Sequence, residues 1–233
     1  MDWVEDLLVA EGHRFLAEVP FAAHLTDASP LDKTYYLRHR IETVWRIWLT
    51  ARTDAIALTH MLEEDYDAAR LWAEYTVEEL NHDRLFLRDL AEHGIGVDEV
   101  RRVGPFKATR SMVDYIEAQM RELGSLPAVA YSLFVEWNSE QFSPAAVAKA
   151  EAAFSECHVA GSKGHVGIDV AESHLPMIFD IARSLVDRRH SRQVLEFLLK
   201  DIAACFREYF IELYAATCNS SIATSSNQPR QLA

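Results

Sequence analysis

Glycine and proline are scarce in this chain, which contains only eight glycines and seven prolines among 233 residues. Both residue types interrupt helices, and the long segments without them repeat apolar residues every three or four positions. No segment has the pattern of a β-strand. The sequence therefore predicts an all-α fold: a single-domain bundle of about seven to nine helices covering residues 1–216.

Positive charge is also scarce, since 36 acidic residues against 23 lysines and arginines give a net charge of −13. Nucleic acids and anionic membrane surfaces bind basic patches, so we expect neither as a partner. No stretch reaches the roughly 18 uncharged apolar residues of a membrane helix. The start, MDWVEDLLVAEG, is acidic where a secretory signal would be basic.

Only three cysteines occur, Cys157, Cys205 and Cys218, an odd number without a short metal-binding spacing. A reduced, cytoplasmic compartment is the simplest interpretation. We expect a small-molecule substrate, and a homodimer as the commonest oligomer.

Helix signals divide the chain into an ordered series of segments. We predict a first helix from Asp2 to about Glu18, a second that starts at Ser29-Pro30, and a third from about Tyr66 to His93. VDEVRRVGPF is interpreted as a connector. Later helices are predicted to end at Gly124, to begin at Pro144 and end at Gly161, to run from Lys163 to about Asp187, and to cover RQVLEFLLKDIAACFREYFIELYAA. The polar tail, residues 217–233, is predicted to be disordered.

The segment KGHVGIDVAESH, Lys163 to His174, combines an imidazole with two carboxylates. On a helix of about 3.6 residues per turn, the four-residue step from His165 to Asp169 and the three-residue step to Glu172 place all three on one face. Such a group is costly in an apolar interior unless positive charge lies among its members. The segment predicts either a divalent-metal site or a solvated polar stripe.

Glu136 directly follows an uncharged run from Leu123 to Val135. A carboxylate on such a buried helix should be paired or protonated. Its partner could be an arginine, with Arg38, Arg40 and Arg46 available, but we favour a metal.

Two more acidic positions lie on earlier helices. Glu79 and His82 are three residues apart, the spacing by which diiron helix bundles supply a carboxylate with an imidazole. Glu78 is an equally near neighbour of His82, although a hydrated face is the expected place for Glu74, Glu78 and Asp83. Glu42 is four residues from both Arg38 and Arg46, so taken singly it is expected to form an ion pair.

Taken together, these residues favour a metal site over separate ion pairs and surface stripes, because they are distributed one cluster per helix over four helices. Four facing helices can enclose one site, and so many carboxylates are too much negative charge to bury without cations. We therefore predict metal ligands at Glu42, Glu79, His82, Glu136, His165, Asp169 and Glu172.

The order and approximate spacing of these residues resemble the haem-oxygenase-like diiron oxidases and oxygenases, from about Glu42 to Glu172. The family pattern is an early Glu, then a His, then a Glu, then His-x-x-x-Asp-x-x-His. The resemblance implies a haem-oxygenase-like fold, two Fe(II) ions, O2 as oxidant, and as ligands Glu42, His82, Glu136, His165 and Asp169, with Glu79 as an extra carboxylate. This chain has Glu172 in place of the final histidine. Either Glu172 binds metal, or a local irregularity lets His174 substitute, or one metal is weakly held.

Members of that family oxidise small substrates, often amino acids or fatty acids, in natural-product biosynthesis. Helix faces beside the predicted ligands offer aromatic side chains and arginines, which suit an aromatic amino acid with its carboxylate held by arginine. We expect N-oxidation, nitrile formation or oxidative decarboxylation of a tryptophan-like substrate. The expected substrate-binding residues are Arg38, Arg46, Tyr131 and Trp137, with Trp45 and Phe134 nearby.

Other functions stay open at this point. A fatty-acid oxidative decarboxylase of the same family would also place an arginine at its pocket. A thiaminase-like hydrolase needs a cysteine nucleophile, but Cys157 and His158 should point about 100° apart on a helix. In a non-catalytic helical scaffold, each polar cluster would be a surface feature, so the burial of Glu136 and His165 discriminates the two classes.

Overall fold

The structure, a computed structural model, describes residues 2–172 and 174–218, without the side chains of 169–172. Within these ranges it has no β-strand, so the all-α prediction is confirmed. The elements are α1 (Asp2–Glu18), α2 (Lys33–Glu64), α3 (Tyr66–Glu92), α4 (Val97–Val103), α5 (Lys107–Leu123), α6 (Leu126–Ala153), a 3-10 turn (Glu156–Val159), α7 (Ala160–Glu172), α8 (His174–Arg188) and α9 (Arg192–Thr217). The predicted tail lies largely outside the described residues.

Several helix ends follow local chemistry. Asp65 begins α3 by accepting hydrogen bonds from the backbone amides of Asp67 and Ala68, which satisfies two of the free donors at a helix start. Gly94 follows α3 with φ of 81°, a left-handed conformation that favours glycine. The second helix starts later than predicted, because Asp32, not Ser29, accepts from Tyr35 N.

Tertiary packing overrides two predicted boundaries. Pro144 lies inside α6 and does not begin a helix, since buried Trp137 before it and Val147 after it hold one continuous rod in the core. The predicted connector contains α4, whose Val100 is completely buried. The predicted helix from Lys163 to about Asp187 falls within α7 and α8, which the structure describes up to Glu172 and again from His174.

The first half of α6 lies at the centre of the protein. Residues 126–134 are all buried, and α6 packs against α5, α7, α8 and α9. A helix that is apolar on every side needs neighbours all round, so the neighbouring helices enclose this half of α6. Glu136, the first of the three acids of α6, is buried among them. No helix in the described part of the chain is long and apolar enough to cross a membrane.

Candidate metal centre

Three helices bring four of the seven predicted ligands into one place. Glu79 and His82 come from α3, Glu136 from α6 and His165 from α7. His82 Nδ1 lies 3.0 Å from Glu79 Oε1, and the rings of His82 and His165 are 4.3 Å apart between centroids. Glu136 is only 4% exposed. Glu136 and His82 are buried while Glu79 and His165 are partly exposed, and their convergence disfavours an interpretation of each as a separate surface feature.

Glu79, Glu136 and His174 form the tightest group, in which one ligand atom from each lies within 4.8 Å of the other two. His174 Nδ1 is 3.6 Å from Glu79 Oε1 and 3.9 Å from Glu136 Oε2. Carboxylate and imidazole are a donor set that iron, manganese and zinc accept. The arrangement can therefore hold a divalent metal ion.

His174 is a member of the site that the helical-wheel argument placed off the ligand face. That argument carried a regular helical phase from His165 to His174 across residues outside the described set, whereas the structure brings His174 to Glu79 and Glu136. Asp169 and Glu172 have side chains outside the described set, and their ligand assignments stay predictions.

Glu78 orients His174. Its Oε2 lies 2.7 Å from His174 Nε2, and an ionised carboxylate can only accept, so Nε2 carries the proton. Nδ1 then faces Glu79 and Glu136. Carboxylates commonly hold metal-binding histidines in this way. The expectation that Glu78 lies on a hydrated face missed this contact; its only sequence signal is the position next to Glu79.

Tyr75 contacts both Glu136 and His174. Its hydroxyl donates to Glu136 Oε1 over 2.9 Å, and its ring meets that of His174 edge-on at 5.3 Å. Burial and then the nearby Glu136 carboxylate raise the pKa of Tyr75 well above its usual value, so the phenol stays a donor. Tyr75 fixes one oxygen of Glu136 and leaves Oε2 directed at His174.

Glu42 has a different environment from the one predicted. It is fully buried, and it accepts hydrogen bonds from the Arg38 guanidinium, the Phe106 amide and the Thr109 hydroxyl. Burial raises its pKa, while Thr109 and Arg38 oppose that shift. The carboxylate thus joins α2 to the start of α5 through Phe106 and Thr109. It also forms the ion pair with Arg38 that their spacing allowed. We therefore exclude Glu42 from the candidate site.

A cavity of about 540 Å³ adjoins the cluster and is lined by Glu79, Glu136 and His165. Its volume is in the range of small-molecule sites. Of the predicted substrate-binding residues, Arg46, Tyr131 and Trp137 line it together with Phe134. Arg38 is not part of this lining, because it is held by Glu42 and Gly104 O. Trp45 also lies elsewhere and donates to Val100 O.

Two titratable groups in the cavity wall have strongly shifted pKa values. Burial, reinforced by the nearby Glu79 carboxylate, raises the pKa of Asp54 to about 8. Burial and the charges of Arg40 and Arg46 lower the pKa of His39 well below its usual value. At neutral pH the wall therefore presents a neutral carboxyl and a neutral imidazole. Neither residue stands out in the sequence.

Asp89 fixes α7, the helix that carries His165. Its two oxygens accept from the amides of Gly161 and Ser162 at 2.6 and 2.7 Å. Gly161 lies so close to α3 that an added Cβ would be 1.9 Å from Leu85 O. The close approach sets the distance between His165 and His82.

Cys157 and His158 are closer than their positions on a regular helix suggested. The chain forms a 3-10 turn there, and Cys157 Sγ lies 3.4 Å from His158 Nδ1. Cys157 is exposed, and neither residue lines the 540 Å³ cavity. A cysteine outside the cavity disfavours hydrolysis by this pair.

Comparison with known proteins identifies the fold. No protein-family model and no curated protein matches the chain. A domain of unknown function with a haem-oxygenase-like fold from Shewanella denitrificans superposes with a TM-score of 0.79 at 15% identity, covering 100% of this chain and 97% of its own. A TenA homologue from Pseudomonas syringae pv. tomato gives a TM-score of 0.68 at 17% identity, covering 91% of both chains. The predicted architecture is therefore confirmed: the chain has an all-helical, haem-oxygenase-like fold.

Proposed function

We propose that this protein is a non-haem iron enzyme that uses O2 to oxidise a small molecule in the 540 Å³ cavity. The observation that carries the proposal is the convergence of Glu79, Glu136 and His174 within 4.8 Å at the wall of that cavity. Haem is not favoured, because clustered carboxylates would repel its propionates.

The donor set fits iron. Glu79, Glu136 and His174 would hold a first ion, and His82 and His165 lie beside them with the predicted ligand Asp169 on the same helix. Two Fe(II) ions per chain remain our proposal for full occupancy. When bound, ferrous iron supplies the electrons that activate O2.

The residues around the metal ligands keep the site ordered and apolar. Glu78 holds the proton on His174 Nε2 and so directs Nδ1 inward, while Tyr75 holds Glu136 in one orientation. The walls on the α6 side are aromatic, with Tyr131, Phe134 and Trp137. Such walls exclude water from the substrate and favour a flat apolar side chain.

We propose an amino acid with an aromatic, tryptophan-like side chain as the substrate, converted by N-oxidation, nitrile formation or oxidative decarboxylation. The aromatic lining and the presence of arginine in the same cavity support this class over a long aliphatic chain.

The test uses full-length protein loaded anaerobically with Fe(II). Bound iron is measured by mass spectrometry, and O2 consumption is measured with a panel of amino acids and fatty acids. We expect Glu136→Ala and His174→Ala to lose at least about half of the bound iron and nearly all O2 consumption, because each removes a ligand. Glu74→Gln, an exposed acid on the same helix as Glu79, is the control that should behave as the wild type. Unchanged iron content and O2 consumption in both ligand variants would overturn the proposal.

A further inference from the structure

Arg40 is the unusual cation of the cavity wall. Its neighbours on α2 have polar partners, although each also keeps one buried nitrogen without an acceptor: Arg38 pairs with Glu42, and Arg46 donates to Thr43 and lies 4.9 Å from the ring centroid of Tyr209. Arg40 is 9% exposed, and among the side chains that the structure describes it makes no ion pair or hydrogen bond; its buried Nε has no acceptor. It nevertheless lines the cavity.

Two aromatic rings hold the Arg40 guanidinium in place. Its central carbon lies 5.1 Å from the ring centroid of Tyr36 and 5.4 Å from that of Phe86. Cation–π contacts stabilise such a charge by less than removing the ion from water costs. The geometry therefore leaves a buried positive charge that an anion entering the cavity would compensate.

The position of Arg40 relative to the metal ligands is fixed by Phe86. The Phe86 ring contacts Arg40 as described and meets the His165 ring at 5.1 Å between centroids. The cation and the cluster thus lie one aromatic ring apart in the same cavity. A small molecule bound to Arg40 through an anionic end can place its next atoms near the cluster.

We propose that Arg40 is the specificity-determining residue of the cavity and binds the carboxylate of the substrate. A planar guanidinium matches a carboxylate with paired hydrogen bonds. The remainder of the molecule would then lie along Tyr131, Phe134 and Trp137. This inference rests on the proposed function only in treating the bound molecule as a substrate. Binding of the anion to Arg40 needs no metal.

The experiment measures binding to metal-free, full-length protein by calorimetry, so it is independent of iron. The probes are indole-3-propionate, benzoate and decanoate, each compared with its neutral amide. We expect at least one carboxylate to bind about tenfold or more tightly than its amide, as a hydrogen-bonded charge pair requires. Arg40→Met should abolish that preference, and Arg40→Lys should retain part of it. Retention of the preference in Arg40→Met, or its loss only in Arg46→Met, would overturn the assignment.

The remaining outcomes also decide the question. Binding of no carboxylate by the wild type, or equal binding of acid and amide, overturns the proposal. If Arg40→Met does not fold, Arg40→Gln takes its place under the same criteria. Decanoate binding with no indole-3-propionate binding would support the anion site and identify an aliphatic occupant. Failure of iron loading with an intact Arg40-dependent preference would remove the proposed oxidase function and leave this site standing.

Discussion

Glu42 and Glu136 are both almost completely buried acids on long helices, yet they have opposite surroundings. Three donors surround Glu42, whereas Glu136 has Tyr75 on one oxygen and His174 near the other. A carboxylate with several donors is a structural element, and one that faces imidazoles and another carboxylate can bind a cation. Environment, not burial, separates the two roles.

Spacing in the sequence could identify only part of this difference. Glu79 with His82, and Glu136 after its apolar run, carry local signals, and the structure places these three residues together. Besides Arg38, Glu42 accepts from Phe106 and Thr109. These two donors lie 64 and 67 positions away in the chain, so no local pattern reveals them. Arg40 was predicted only as a partner for Glu136, and its position beside Phe86 depends on the packing of α2 against α3.

Asp54 gives a prediction for the metal-free protein. Its pKa is raised to about 8, first by burial and then by Glu79. The folded chain therefore holds a proton that the unfolded chain releases above about pH 4, and the free energy of unfolding falls as pH rises through this window. We expect Asp54→Asn to remove this decline, so that its stability relative to wild type increases by about 1.4 kcal/mol per pH unit at most between pH 4 and 8.

Urea unfolding of EDTA-treated protein at several pH values measures this effect. Asp98→Asn changes an acid whose side chain is 97% exposed, and it should leave the pH profile of the wild type unaltered. Parallel profiles for wild type and Asp54→Asn would show that the Asp54 carboxyl titrates normally.

At the scale of elements, the position of α7 depends on one glycine. An added Cβ at Gly161 would meet the Leu85 carbonyl at 1.9 Å, while one at Gly167 would meet nothing within 4 Å. We expect Gly161→Ala to destabilise the protein by about 1–3 kcal/mol through overpacking and to weaken iron binding, because His165 moves away from α3. Gly167→Ala, on the same helix, should instead stabilise by about 0.5–1 kcal/mol through helix propensity.

Thermal unfolding and iron titration of these two alanine variants make the comparison. Equal iron affinity in Gly161→Ala and wild type would mean that α7 does not set the site.

Helix positions were predictable where apolar periodicity is long and uninterrupted, as for α1 and α9. They were not predictable at Pro144, where packing on both sides outweighs the roughly 3 kcal/mol cost of an internal proline. His174 was predicted only as an alternative ligand, because a regular helical wheel carried from His165 places it off the ligand face, whereas the structure brings it to Glu79 and Glu136.

At the scale of the whole molecule, α3, α6, α7 and α8 each contribute to the candidate centre, so metal binding joins four helices. A ligand that binds only the folded state stabilises it by about 2.7 kcal/mol at a free concentration 100 times its dissociation constant. For a chain of this size each kcal/mol raises the melting temperature by about 2–4 °C. We therefore expect anaerobic Fe(II) to raise the melting temperature by about 5–10 °C.

The variants separate ligation from general stability. The melting temperature of Glu79→Gln alone does not test ligation, since removing a partly buried charge alters the metal-free protein as well. The relevant quantity is the difference in melting temperature with and without iron. That difference should vanish in Glu79→Gln and persist in Glu74→Gln, the exposed acid five positions earlier on α3. Circular dichroism at 222 nm measures the melting temperature, because the described fold is built of helices and the signal follows their loss on heating. An iron-dependent shift of equal size in both variants would place the ion away from Glu79, and the four helices would then be joined by packing alone.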